Sequence, residues 1–344
     1  MEKKVTNIII GAGPGGLACA KILAEHGQEV LVLERKEVIG PKVCAGGITW
    51  SGLLKVVPES LLEGAFADQY VHTNLQRVRV REQNPIIATI SRKKLGQWMA
   101  RAAEKAGATI RTSARVRSVS KNRITFLQPG QAVQTLHYTN LIGADGSTSI
   151  VRQFLGLSTE KIGVGINYML PGHCPDMEWH LDTKLFRSGY GWIFPHKNSV
   201  SIGAFSDLDN MRPAMLKQKL LLWAEKQGYD LRGKHGQAAL VNSDFRGCFF
   251  DTVFLVGDAA GLASGLTGEG IYPAIVSGEA VARRILDPGY RAPEIDAMAK
   301  KQRQHRLVIE LSKKSPLLCS LLMEWLVLLL RLKVIRFHAL EMAP

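Results

Sequence analysis

The chain is poor in cysteine and has no cysteine pair at metal-binding spacing. Cys19, Cys44, Cys174, Cys248 and Cys319 are the only five in 344 residues. An odd, widely scattered set with no Cys-x-x-Cys argues against a disulfide framework and against a zinc site, so no metal is expected and a reducing cytoplasm suits the chain. Long apolar runs are missing too. The nearest, Leu317 to Leu332, is interrupted by Glu324 and Arg331 and falls short of the roughly 18 apolar residues of a spanning helix. At the N-terminus, Met1-Glu2-Lys3-Lys4 and the apolar Val5 to Ile10 imitate a signal peptide only until Gly11 to Gly16 ends the run, which reads as a buried strand. There is no internal repeat and no low-complexity segment, and 46% hydrophobic against 22% charged residues describes a globular chain. Acidic residues are scarce relative to basic ones, 30 against 44, and the resulting net charge of +14 favours anionic partners: nucleic acid, acidic lipid headgroups or a phosphorylated cofactor.

What is present begins with a βαβ pattern. Val5 to Ile10 is an apolar strand, a glycine turn follows, then a helix rich in Ala and Leu, a turn at Gly27 and a second apolar strand to Leu33. Arg92 to Ala106 has helical periodicity and ends at Gly107, leading to a strand-like stretch around Val116. From about 160 to 245 the pattern becomes alternating and aromatic-rich, as in an antiparallel sheet, before Thr252 to Val256 returns to a buried-strand pattern and a helix runs from about Gly270 to Leu286. After Pro288 the chain reads as helical. The fold class expected is therefore α/β: a discontinuous Rossmann-like nucleotide domain (1–70, 90–160 and 245–290), an inserted antiparallel-sheet substrate domain (71–89 and 161–244) and C-terminal helices (291–344).

Gly11-x-Gly13-x-x-Gly16 lies between a strand and a helix, where missing Cβ atoms permit a tight turn and let backbone amides approach a pyrophosphate. Glu34, at the end of the second strand, suits a ribose hydroxyl. This fingerprint marks a dinucleotide without distinguishing NAD from FAD. A far segment, Val253 to Gly261 with Gly257-Asp258 at its centre and Gly268-Glu269-Gly270-Ile271 beyond, offers an aspartate for a ribityl hydroxyl and helix-terminal amides for the pyrimidine edge of a flavin.

With Gly143-Ala144-Asp145-Gly146, Ser149 and Arg152 between them, these blocks resemble the flavoprotein superfamily of aromatic hydroxylases, halogenases and geranylgeranyl reductases over roughly residues 5 to 290. Two further segments are similar to the geranylgeranyl reductase family: Lys42-Val43-Cys44-Ala45-Gly46-Gly47, and Tyr190-Gly191-Trp192-Ile193-Phe194-Pro195. The resemblance implies FAD, held by Gly11, Gly13, Pro14, Gly16, Glu34, Arg35, Cys44, Ala45, Arg92, Val116, Asp145, Asp258, Gly268, Gly270 and Ile271. It further implies that the Cys44 loop lies over the flavin and that Tyr190 and Trp192 wall a lipid cavity beside it, so Cys44, Tyr190 and Trp192 are the candidate catalytic residues. Two positions depart from the family pattern: Ser264-Gly265 stands where relatives have a proline, and Gly96 where an aspartate is common.

The activity implied is saturation of isoprenoid carbon–carbon double bonds by flavin hydride transfer plus protonation, because an alkene without an electron-withdrawing group cannot accept hydride alone. Cys44, Tyr190 or an ordered water is the expected proton donor. The reductant is NADPH, NADH or ferredoxin. A monooxygenase of the aromatic-hydroxylase type is the alternative. The Tyr-x-Trp-x-Phe-Pro segment differs from the Trp-x-Trp-x-Ile-Pro of halogenases. Nucleic acid is not expected, since the basic stretch Lys300 to Lys314 has no aromatic residue. The charges flanking Leu317 to Leu332 fit peripheral contact with the cytoplasmic membrane face.

Overall fold

The computed structural model describes residues 4–53 and 57–343, so Met1, Glu2 and Lys3 of the signal-peptide-like stretch lie outside the described residues. Five parallel strands form the nucleotide-binding half, in the order Val253–Leu255, Gln134–Gly143, Lys4–Ile10, Val30–Leu33, Thr109–Arg111. Val253–Leu255, Val30–Leu33 and the Asn7–Ile10 end of the strand Lys4–Ile10 are buried on both faces, as parallel strands covered by helices require. The helix Pro14–Glu25 begins with proline at its first turn, where the ring presets φ and no amide hydrogen is lost. Arg92–Lys105 starts at Ser91, whose side chain accepts from the Lys94 amide.

One joint brings the distant parts of this half together. Helix Pro14–Glu25 packs on helix Ile271–Leu286 so closely that a Cβ on Gly278 would lie 2.1 Å from the Gly15 carbonyl oxygen, and one on Gly15 2.8 Å from that of Ala274. Only glycine allows this approach, and it sets the start of the second helix beside the first glycine turn.

The second half is a seven-stranded sheet in the order Gln237–Asn242, Ile162–Pro171, Ser199–Asp207, Tyr190–Pro195, Glu178–His180, Asp68–His72, Arg77–Arg81. All its pairings are antiparallel except that of Glu178–His180 with Asp68–His72. The boundary expected between 70 and 71 falls inside the strand Asp68–His72. Helix Pro213–Lys226, which the alternating pattern of this region did not suggest, buries Leu216, Leu220, Trp223 and Ala224 in one cluster with Phe186 and Ile202. A small sheet of Gly47–Thr49, Ile87–Ile90 and Leu62–Phe66 sits at the junction, with Phe194 close against Gly47.

The C-terminal part contains helices Pro293–Lys313 and Pro316–Arg331 and a short turn, Phe337–Leu340. Glu324 of the second helix accepts from the Thr73 hydroxyl at 2.7 Å and the Leu75 amide at 3.0 Å, docking the helix on the turn that follows Asp68–His72. No helix among the described residues is long and apolar enough to cross a membrane. All five cysteines are free thiols.

Candidate active site

The two halves enclose a cavity of about 860 Å³, and of the site residues expected from sequence every one except Gly16 lines it. Gly16 serves packing instead. A Cβ there would lie 2.2 Å from the Gly11 carbonyl oxygen and 2.9 Å from the Ala144 Cβ, so its absence lets helix and strand meet. Gly11 has φ +103° and its own Cβ would lie 2.4 Å from the Ala144 carbonyl oxygen. The glycine turn is thus pressed against the Gly143 to Gly146 turn. Glu34 braces it from the other side, accepting from the Ala12 amide at 2.8 Å and from the Lys36 amide at 2.9 Å.

Buried polar atoms with no partner among the described residues mark where a polar ligand fits. Arg92 Nε and Nη1 and Asp145 Oδ1 are such atoms, and both residues line the cavity. Asp145 Oδ2 accepts from the Ile150 amide at 2.7 Å, while burial raises its carboxyl above the ordinary aspartate range. A phosphate- and hydroxyl-rich dinucleotide would satisfy these groups, which would otherwise carry the cost of buried unpaired polar atoms. FAD fits this donor and acceptor set, with Arg92, Asp145, Glu34 and the Gly11 to Pro14 segment as its holders. Arg152, part of the same sequence block, is instead a structural tie: it is fully buried and donates to the carbonyls of Ser158, Ala259 and Asp244.

At the other end, Asp258 is nearly buried and ion-paired with Lys42 at 2.8 Å, with the Ser147 hydroxyl donating to the same oxygen at 3.2 Å. Lys42 belongs to the cysteine loop, so the pair holds that loop to the segment 216 residues away. The loop is held from the substrate sheet as well. Asn167 Nδ2 donates to the Cys44 carbonyl at 3.3 Å, and His196, bridged to Glu63 at 2.8 Å, contacts the Ala45 carbonyl at 2.9 Å. Trp192 joins this network: its indole N–H donates to Ser201 Oγ at 3.1 Å, and that hydroxyl donates to Asn167 Oδ1 at 2.7 Å. Cys44 Sγ accepts from the Gly46 amide at 3.3 Å. Tyr190 directs its hydroxyl at the Thr267 carbonyl, 2.5 Å away, and burial pushes its phenol above the ordinary range.

The departures from the family pattern have local reasons. A Cβ on Gly96 would meet the Gly40 Cα at 2.4 Å, so the aspartate common there has no room. Ser264 Oγ accepts from the amides of Leu266 and Thr267, building a hydroxyl-capped turn in place of a proline turn.

Sequence reasoning missed Asn167, Ser201, His196 and Glu269. Glu269 lines the cavity, and its carboxylate accepts from the Met342 amide at 2.8 Å and the Thr49 hydroxyl at 3.2 Å. Burial, reinforced by the nearby Glu341 and opposed by the Met342 amide, pushes its carboxyl up to about 7. The site therefore contains an acid that holds a proton near neutrality. The remaining wall is apolar: Trp179, Phe194 and Phe205 from the sheet, and Met323, Leu326 and Leu330 from the helix Pro316–Arg331.

Comparison with known proteins agrees with this geometry. A model of the FAD binding domain matches residues 4–171. A digeranylgeranylglycerophospholipid reductase of Methanothermobacter thermautotrophicus is 29% identical over 304 residues, covering 81% of this chain and 78% of the relative. One from Methanosphaera stadtmanae is 27% identical, covering 79% and 75%. Among solved structures, a geranylgeranyl bacteriochlorophyll reductase-like protein of Thermoplasma acidophilum superposes with a TM-score of 0.80 at 21% identity, covering 99% of this chain and 95% of that one. A myxobacterial chondrochloren halogenase gives 0.67 at 16% identity, covering 88% and 79%. These structural likenesses speak for the fold. Taken with the matched FAD domain, the reductase relatives and the paired cysteine-loop and aromatic-strand segments, they describe an FAD-dependent oxidoreductase that is similar to the geranylgeranyl reductase family.

Proposed function

We propose that the protein saturates carbon–carbon double bonds of an isoprenoid lipid chain. The observation that carries this is the continuity of the cavity: the glycine turn and Arg92 at one end, and the aromatic and aliphatic wall at the other, line one space with the Cys44 loop between them. Bound FAD supplies the hydride for such a reduction. The chain's own residues divide the remaining work three ways. Arg92, Asp145 and Glu34 hold and orient the coenzyme. Trp179, Trp192, Phe194 and Leu330 exclude water and bind the hydrocarbon, stabilising it in proportion to apolar area removed from water. Cys44 and Glu269 are the candidate proton donors to the second alkene carbon, whereas Tyr190 commits its proton to the Thr267 carbonyl. Peripheral attachment to anionic membrane belongs to the same reading. Leu317, Leu321 and Trp325 are 71%, 58% and 59% exposed at four-residue spacing, while Met323 and Leu330 of the same helix face the cavity.

The test is anaerobic incubation of the reduced holoprotein with a geranylgeranyl lipid, followed by mass spectrometry. A gain of about two mass units per reduced bond is expected. Oxygen consumption with NAD(P)H and an unreduced lipid would instead favour the monooxygenase reading. Cys44→Ala is expected to keep its yellow coenzyme and lose alkene reduction, and full turnover in that variant removes Cys44 from the chemistry.

A further inference from the structure

The face of the substrate sheet turned away from the cavity carries a cluster that neither the reduction nor any sequence motif accounts for. In Glu178–His180, side chains alternate across the sheet: Trp179 lines the cavity, and Glu178 and His180 point the other way. The neighbouring strand runs parallel and places His72 directly opposite His180. The two imidazoles stack with centroids 4.3 Å apart and planes inclined by 14°. His180 Nε2 lies 2.8 Å from Glu178 Oε2, and His72 Nε2 lies 3.3 Å from the same oxygen. His180 is 5% exposed and sits edge-on against Trp223, while His72 Nε2 is buried and makes no hydrogen bond among the described residues. Three ligand atoms, one from each residue, lie within 4.8 Å of one another.

We propose that His72, His180 and Glu178 form a binding site for a zinc-class divalent ion. Two imidazole nitrogens and a carboxylate oxygen make a donor set that first-row dications of the zinc type accept, and a fourth tetrahedral position is left for water. Because each imidazole lone pair lies in its ring plane, an ion held at about 2.0–2.2 Å requires the stacked rings of His72 and His180 to rotate out of their stack, and it then gives the orphaned His72 nitrogen its partner. The location indicates a structural role. Glu178–His180 and Asp68–His72 share only three paired positions, and the turn after His72 is the one gripped by Glu324 of the cavity-lining helix. An ion here ties the strand pair together and fixes the seat of that helix. Sequence spacing hides the site, since the ligands meet only through the parallel pairing of segments about a hundred residues apart.

The test uses chelator-treated holoprotein titrated with Zn²⁺ against a chromophoric indicator, and with Co²⁺ for its visible ligand-field bands. One ion per chain is expected, with tetrahedral cobalt bands and a thermal midpoint raised by zinc. His72→Ala and Glu178→Gln should weaken binding by more than the roughly 10–100-fold typical of losing an outer-shell partner. The flavin absorbance of both variants reports that they are folded, and Glu178→Gln keeps the shape if His72→Ala does not fold. Absence of stoichiometric binding, or binding undiminished in Glu178→Gln, overturns the proposal, because ions would then sit elsewhere on the surface.

Discussion

Glu269 illustrates how a side chain's chemistry depends on parts of the chain far from it. Between two glycines it reads as an exposed turn residue, and nothing local predicts its burial. The Met342 amide and Thr49 hydroxyl that enclose it lie 73 and 220 residues away. Because its carboxyl is raised from 4.5 to about 7, the folded chain binds this proton more tightly than the unfolded chain does. The associated stabilisation is fully present below about pH 4.5 and is lost as pH rises towards about 7, an effect on the order of 3 kcal/mol. Urea midpoints measured from about pH 5 to 8 should therefore fall for the native chain, and Glu269→Gln should flatten that decline. A variant with an unchanged slope would mean that Glu269 titrates normally. By contrast, the sequence brought Gly11, Glu34, Arg92 and Asp258 to one cavity: the first two through the strand–turn–helix pattern, Asp258 through its place at a strand end, and Arg92 through the family resemblance. Asn167 and Ser201 were not, since as alternate polar positions in a sheet they look solvated until the Cys44 loop is folded over them.

At the level of elements, periodicity found the strands Lys4–Ile10, Val30–Leu33 and Val253–Leu255 and the helices Arg92–Lys105 and Ile271–Leu286 to within a residue or so, but caught only the apolar end of the central strand Gln134–Gly143. It failed at helix Pro213–Lys226, whose alternating neighbours biased the reading of the whole region towards strand. The parallel pairing of Glu178–His180 with Asp68–His72 was also hidden, because strand direction in a sheet is a property of topology and not of pattern. The tight crossing of the two long helices offers a sharp test. Gly278→Ala places a Cβ 2.1 Å from a backbone oxygen of the opposing helix, where no side chain can turn aside. The expected cost is roughly 3 kcal/mol, at the upper end of overpacking penalties, with weakened FAD retention measured by flavin absorbance after gel filtration. Native stability and full flavin content in this variant would show that the two helices can part without consequence.

Across the whole molecule, the net charge of +14 is distributed so that exposed Lys314, Arg331, Lys333 and Arg336 border the exposed apolar side of the helix Pro316–Arg331. Leu332 and Val334, 61% and 67% exposed, extend that apolar surface. Such a surface combines hydrocarbon insertion with attraction to anionic headgroups. Flotation with anionic phospholipid vesicles should carry the protein upward at low salt, and the paired substitution Leu321→Glu with Trp325→Glu should leave it at the bottom. Both positions are exposed, so the fold should change little, within about 0.5 kcal/mol for each. Native protein that stays down at low salt would rule out this docking.

The hydrogen-bonded route from Trp192 through Ser201 and Asn167 to the Cys44 carbonyl also constrains anyone wishing to redesign the pocket. Trimming Trp192 would slacken the Cys44 loop at the same stroke, so under the proposed function selectivity and reactivity would share one lever on that side. Met323 and Leu330, on the helical wall, offer apolar side chains with no polar linkage to the loop. Retailoring for chain length is better begun there.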